Sequence, residues 1–145
     1  MLARTLYVLA LAGWIGASFF FSMVVLPTLF INMESAEAGA VAALLFPGYY
    51  YYGLACAAVL LAACAFLAHR VGRGWRAALA VAVVMIACQA YAAGVILPRM
   101  AEIRGIQPER VEFDDLHRLS VRLNAVVLIG GLALLLAAPK MVEEA

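Results

Sequence analysis

The stretch Leu116–Asn124, LHRLSVRLN, puts His117, Arg118, Ser120, Arg122 and Asn124 at the head of a segment that otherwise reads as lipid-soluble. Ionisable groups at membrane depth are costly, and they face a partner, a cavity or a ligand. Imidazole binds copper, zinc or haem iron, and thioether sulfur favours Cu(I). His117 with Met100 and Met33 is therefore a candidate ligand set for a metal or haem. Arg99, Ser120, Arg122, Asn124, Gln89, Tyr49 and Trp14 are the polar groups that can line such a site or join one helix to another. On a helix, His117, Ser120 and Asn124 follow i, i+3, i+7 and share one face, while Arg118 and Arg122 share the neighbouring one. No Ser-His-Asp order, nucleotide loop or paired-carboxylate motif stands out, so a non-enzymatic role is favoured.

The elements that position these groups are read from composition. The chain has 145 residues, 68% hydrophobic and 13% charged, with a mean hydropathy of +1.02. A soluble domain carries about 25% charged residues, and a chain this short cannot hide such an apolar excess inside a globule. The bilayer is the expected partner, and a net charge of +1 gives no reason to invoke nucleic acid. Residues Thr5–Met33, Ala38–Ala68, Ala77–Pro98 and Leu123–Pro139 hold no Asp, Glu, Lys or Arg. A helix crossing the hydrocarbon core needs roughly 20 apolar residues. The runs are long, Ala/Leu-rich and without period-two alternation, which favours helices over strands. The expected fold is all-α: one membrane-embedded four-helix bundle with spans at about 5–32, 49–69, 75–97 and 116–138. The first run continues past Phe19–Phe21 to Phe30, too long for a signal-peptide core, and reads as a retained helix. Cys56, Cys64 and Cys88 form no CxxC pattern and read as small buried side chains.

Pro27 removes a backbone hydrogen bond near the end of the first helix, and Pro47-Gly48 is expected to break the chain before Tyr49–Tyr52. Four consecutive tyrosines suit an aromatic belt at headgroup level, with ligand stacking as the alternative. The pairs Ala12/Gly16 and Gly13/Ala17 allow close approach of another helix and suggest a homo-oligomer. Arg4, Arg70, Arg73, Arg76 and Lys140 lie on one side of the membrane; Arg99, Arg104, Arg110, Arg118 and Arg122 lie on the other. The basic counts tie, and the compact 69–76 link favours both termini inside the cell, in a multi-pass cell-membrane protein.

Antiparallel helices bring 24–30, 45–53, 96–100 and 116–124 to one side, with nearly every proline, polar aromatic and semi-buried charge. A site is expected there. Three readings compete. The polar groups satisfy backbone atoms freed by the prolines and fix helix register; or they form a small-ligand or metal site through His117; or Arg122, Asn124 and Gln89 line a transport path. Arg122 either snorkels to the interface or meets Asp114, Asp115 or Glu102. His69 is expected at the opposite end, which argues against a bis-histidine site.

Trp14-x-Gly16, VVLPTLF, LFPGYYYYG, ILPRM and LHRLSVRLN, in this order and membrane spacing, resemble the bacterial and eukaryotic proteins grouped with transmembrane protein 205. The resemblance runs from about Trp14 to Gly131. It implies four membrane helices and no assigned reaction. The family-like positions are Trp14, Gly16, Pro27, Phe30, Phe46, Pro47, Tyr49, Pro98, Arg99, His117, Ser120 and Asn124. Arg118 departs from the pattern, which often has a small residue after the histidine. A fainter similarity links the helix-one pattern to copper-resistance D proteins and haem-binding protoporphyrinogen oxidases. In the latter a membrane histidine is the expected haem ligand; this chain has Tyr7 in early helix one and offers His117 instead.

Overall fold

A computed structural model describes residues 1–71, 73–104 and 110–143. Among them are four long helices: α1 (Leu2–Asn32), α2 (Ser35–Arg70), α3 (Arg73–Ile103) and α4 (Arg110–Glu143). All four are long and apolar enough to cross a membrane. Each packs against its neighbour in sequence, and α4 closes the ring on α1. Contacts such as Tyr49 with Ser18 and Arg99 with Glu112 make adjacent helices antiparallel. Large apolar side chains in mid-helix, including Leu9, Phe20, Val84, Ile129 and Leu136, point outward. An exposed apolar surface of this extent is the face a membrane protein offers to lipid.

Apart from the end of α1, which stops at Asn32 as expected, the helices begin and end further out than the charge-free runs suggest. Pro47-Gly48 does not break the chain: α2 runs through both from Ser35 to Arg70. Pro47 cannot donate to the carbonyl four residues back, but it lies on the exposed side of α2, away from the packed core. In α1 and α3 the prolines act differently. Phe21–Val25 and Ala92–Ile96 are π-helical turns. The N–H of Leu26, just before Pro27, donates to Phe21, and that of Leu97, just before Pro98, donates to Ala92. Each i→i−5 bond widens the helix one turn ahead of the proline, so the helix continues with a local bulge. α3 therefore extends to Ile103, beyond the expected stop at Pro98.

The core has two storeys. The larger lies toward the Arg70–Arg73 end, around Tyr7, Leu11, Trp14, Leu60, Cys64, Trp75, Met85 and Val127. Tyr7 packs edge-on to Trp75 at 5.0 Å and donates its hydroxyl proton to the Leu134 carbonyl at 3.2 Å. Gly131 lets α4 close on α1: a Cβ there would stand 2.0 Å from Ile15 Cδ1. The smaller storey gathers Tyr50, Ala92, Ile96 and Met100 with Phe46, Phe113 and Leu116. The four tyrosines do not form one belt. Helical rotation turns Tyr49 and Tyr50 inward, where Tyr49 stacks on Phe21 at 4.5 Å, and leaves Tyr51 and Tyr52 outside.

Candidate functional site

The site is built in three levels from the open end inward. At the top, the helix ends flank a half-open cavity of about 510 Å³. Leu26 and Phe30 of α1 form one wall; Ser35, Ala36, Gly39, Ala42 and Phe46 of α2 form the next. Met100, Ile103 and Arg104 of α3 face Arg110, Phe113 and His117 of α4. The lining is thus apolar and aromatic, with two guanidinium groups and one imidazole. Such a mixture, mostly hydrophobic with a few placed polar groups, is typical of small-molecule sites. Arg104 is held by two contacts: its Nη1 donates to the Gly39 carbonyl, and its guanidinium lies 5.9 Å from the centre of the Phe113 ring. A planar cation held over an aromatic face keeps its charge near the cavity at modest entropic cost.

One level deeper, three helices meet in a hydrogen-bonded node. Tyr49 Oη donates to Asn124 Oδ1 at 2.6 Å, and Asn124 Nδ2 donates to Ser22 Oγ at 3.0 Å. Tyr49 Oη also lies 3.2 Å from Ser18 Oγ. A tyrosine hydroxyl has one proton, and here it is shared with Asn124, so the serine hydroxyl is the donor in the second bond. Ser18 is fully buried. Interhelical bonds of this kind fix register because the unpaired alternative is a polar group in an apolar interior.

The third level lies one turn further along α1 and α2. Trp14 and Gln89 are 1% and 2% exposed, and among the described residues neither Trp14 Nε1 nor Gln89 Nε2 has a hydrogen-bond partner. Both nitrogens crowd the bare Cα of Gly53: a Cβ there would stand 2.5 Å from Gln89 Nε2 and 3.0 Å from Trp14 Nε1.

The expected site residues are thereby sorted. His117 and Met100 line the same cavity, whereas Met33, between α1 and α2, is not part of the lining. Ser120 donates to the His117 carbonyl at 2.7 Å. Arg99 lies outside the cavity and clasps α3 to α4: its Nε and Nη2 reach the two Glu112 oxygens at 2.7 and 3.0 Å, with Glu102 at 3.4 Å. Arg122 is exposed and makes no ion pair with Asp114, Asp115 or Glu102 among the described residues. Tyr49 and Asn124 join the node; Trp14 and Gln89 meet below it. Among the described residues no three His, Cys, Asp or Glu side chains cluster as a metal site.

Sequence reasoning missed Ser18, Ser22, Gly53, Arg104 and Arg110. The i, i+4 spacing of Ser18 and Ser22 on an apolar helix was the available signal for the node. Nothing distinguished Arg104 and Arg110 from other charges of a connecting segment.

A family model described as a domain of unknown function, DUF4149, matches residues 9–108. Searches of curated proteins and of solved structures find no match.

Proposed function

The chain belongs to the DUF4149 family, and from that premise we propose that it is a non-enzymatic membrane protein that binds a small amphipathic anion in the cavity between its helix ends. The observation that carries this reading is the lining itself. Phe30, Phe46, Phe113 and Met100 offer an apolar wall, and Arg104, Arg110 and His117 offer charge and hydrogen bonds. Arginine matches carboxylate and phosphate oxygens in a two-point fork.

Depth supports the same reading. Helices of 31 residues are about 46 Å long, against a hydrocarbon core of about 30 Å. Arg4, Arg70, Arg73 and Lys140 lie close to the helix termini at one end, which puts that end at a headgroup layer. The other end then projects roughly 15 Å beyond the hydrocarbon. The cavity opens in the headgroup zone, where an amphiphile can enter sideways from lipid. The Arg4/Arg70 end faces the cytoplasm in this reading, and the cavity faces out. The finer resemblance to the transmembrane protein 205 group fits the same four-helix arrangement. Half-buried Gly13 is covered by the Tyr52 hydroxyl of α2, while among the described residues nothing lies within 4 Å of a Cβ at Gly16. The Ala12/Gly16 face is thus the small-residue pair left open for a second copy.

A fluorescent dodecanoate titrated into detergent-purified protein tests the reading. Saturable binding is expected, weakened roughly tenfold by Arg104→Gln, which removes one charge-assisted contact. Ala36→Trp, at an exposed lining position, is expected to block binding. Non-saturable uptake, or equal binding by wild type and Ala36→Trp, would contradict it.

A second reading rests on His117 and Met100 lining one cavity with two arginines. His/Met ligation suits an electron-transfer haem, and the arginines suit its propionates. Haem-supplemented expression should then give a Soret band that is lost in His117→Ala. A colourless protein that still binds dodecanoate leaves the first reading alone standing.

A further inference from the structure

We propose that the opposite end of the bundle carries a separate binding site for one anionic phospholipid, in the groove between the start of α1 and the end of α2. The groove is about 970 Å³ and is walled by Leu2 and Leu6 of α1 and by Val59 and Phe66 of α2. All four side chains are exposed apolar groups on membrane-spanning helices, so acyl chains are the natural occupant. Arg4 and Arg70 stand at its mouth, one from each helix. Neither makes an ion pair among the described residues. Arg70 is not loose in solvent: its guanidinium lies 5.6 Å from the centre of the Phe66 ring, in the wall of the same groove. That contact keeps the cation beside the acyl surface, where a phosphodiester headgroup would sit. His69, Arg73 and Arg76 flank the mouth in sequence. No Asp or Glu lies on either helix wall of the groove, between Val59 and Val71 or before Glu34.

The charge complement selects the ligand. A zwitterionic headgroup brings its own cation to the phosphate and gains little from two arginines. A headgroup with net negative charge gains from both, and basic pockets between membrane helices on the cytoplasmic side are recurrent sites for such lipids. This site shares no residue with the cavity at the other end, so the two can fail independently.

Native mass spectrometry of the full chain, released from mixed micelles of phosphatidylglycerol and phosphatidylcholine, reads the retained lipid. One phosphatidylglycerol is expected in preference to phosphatidylcholine. Arg4→Gln/Arg70→Gln should lower that preference roughly 30-fold, while Arg118→Gln/Arg122→Gln, at the other end, should leave it unchanged. Val59→Trp, which fills the groove without altering charge, should displace the lipid and serves if the double variant loses its helical circular dichroism. Glycerol 3-phosphate should not compete at equal concentration. Equal retention of the two lipids would overturn the proposal. So would wild-type retention by Val59→Trp, an equal loss in the Arg118/Arg122 variant, or displacement by glycerol phosphate.

Discussion

The two ends of the bundle are built on opposite principles. Toward Arg70, the helices close on one another through wide aromatic and small residues: Trp75 is 2% exposed against Tyr7, and Gly131 admits Ile15. The one interhelical hydrogen bond described there runs from Tyr7 to a backbone carbonyl. Toward Met100, both π turns, Pro27, Pro47 and Pro98, the Tyr49–Asn124 node and the 510 Å³ cavity occur together. Irregular backbone and polar side chains destabilise a membrane helix unless neighbours satisfy them. The molecule concentrates them at one end and compensates with dense packing at the other. One half holds the bundle together, and the other half is shaped around a space.

That division is open to attack by substitution. Trp75→Ala should have the largest effect, about 3–5 kcal/mol in reversible SDS unfolding, because it empties a packed aromatic site. Phe113→Ala, in the cavity wall and only half-buried, should cost much less; equal losses would erase the distinction between the halves. Gly131→Ala comes next, at about 1–3 kcal/mol, since its Cβ meets Ile15 across the α1–α4 contact. Asn124→Ala should cost about 1 kcal/mol, as it removes the acceptor of Tyr49 and the donor to Ser22. Asn124→Asp preserves the acceptor and should sharpen the comparison by retaining part of that stability. Arg99→Gln should have the smallest effect, detectable only at low salt, because its partners Glu102 and Glu112 are exposed.

The sequence carried the bundle plainly and its upper half poorly, for physical reasons. Charge-free runs mark hydrocarbon, so the spans were visible in Leu-, Ala- and Val-rich stretches. Past the hydrocarbon a helix needs no such run, and α2 continues from Ser35 through Pro47, while α3 continues past Pro98 to Ile103. A proline reads as a stop in one dimension. Only the neighbouring turns decide whether the helix bends, bulges or ends. The convergence of all four helix ends on one side was legible from antiparallel connectivity, and Asn124, Tyr49 and Gln89 were legible as polar groups in apolar surroundings. Their partners were not. Ser18 and Ser22 are ordinary residues in a membrane helix until Asn124 is brought beside them, and Gly53 matters only because Gln89 and Trp14 press on it. Tyr49 to Tyr52 read as a belt because a run of like residues hides helical rotation, which sends two rings inward and two outward.

The most direct test of a packed half and a binding half is photolabelling with a diazirine-bearing dodecanoate, mapped by peptide mass spectrometry in detergent-purified protein. Labelling is expected to saturate at low probe concentration on Phe30, Phe46, Met100 and Phe113, and to vanish from them in Ala36→Trp. Labels that rise linearly with probe on lipid-facing residues such as Ile129 and Leu136, with none that saturate around the cavity, would contradict it.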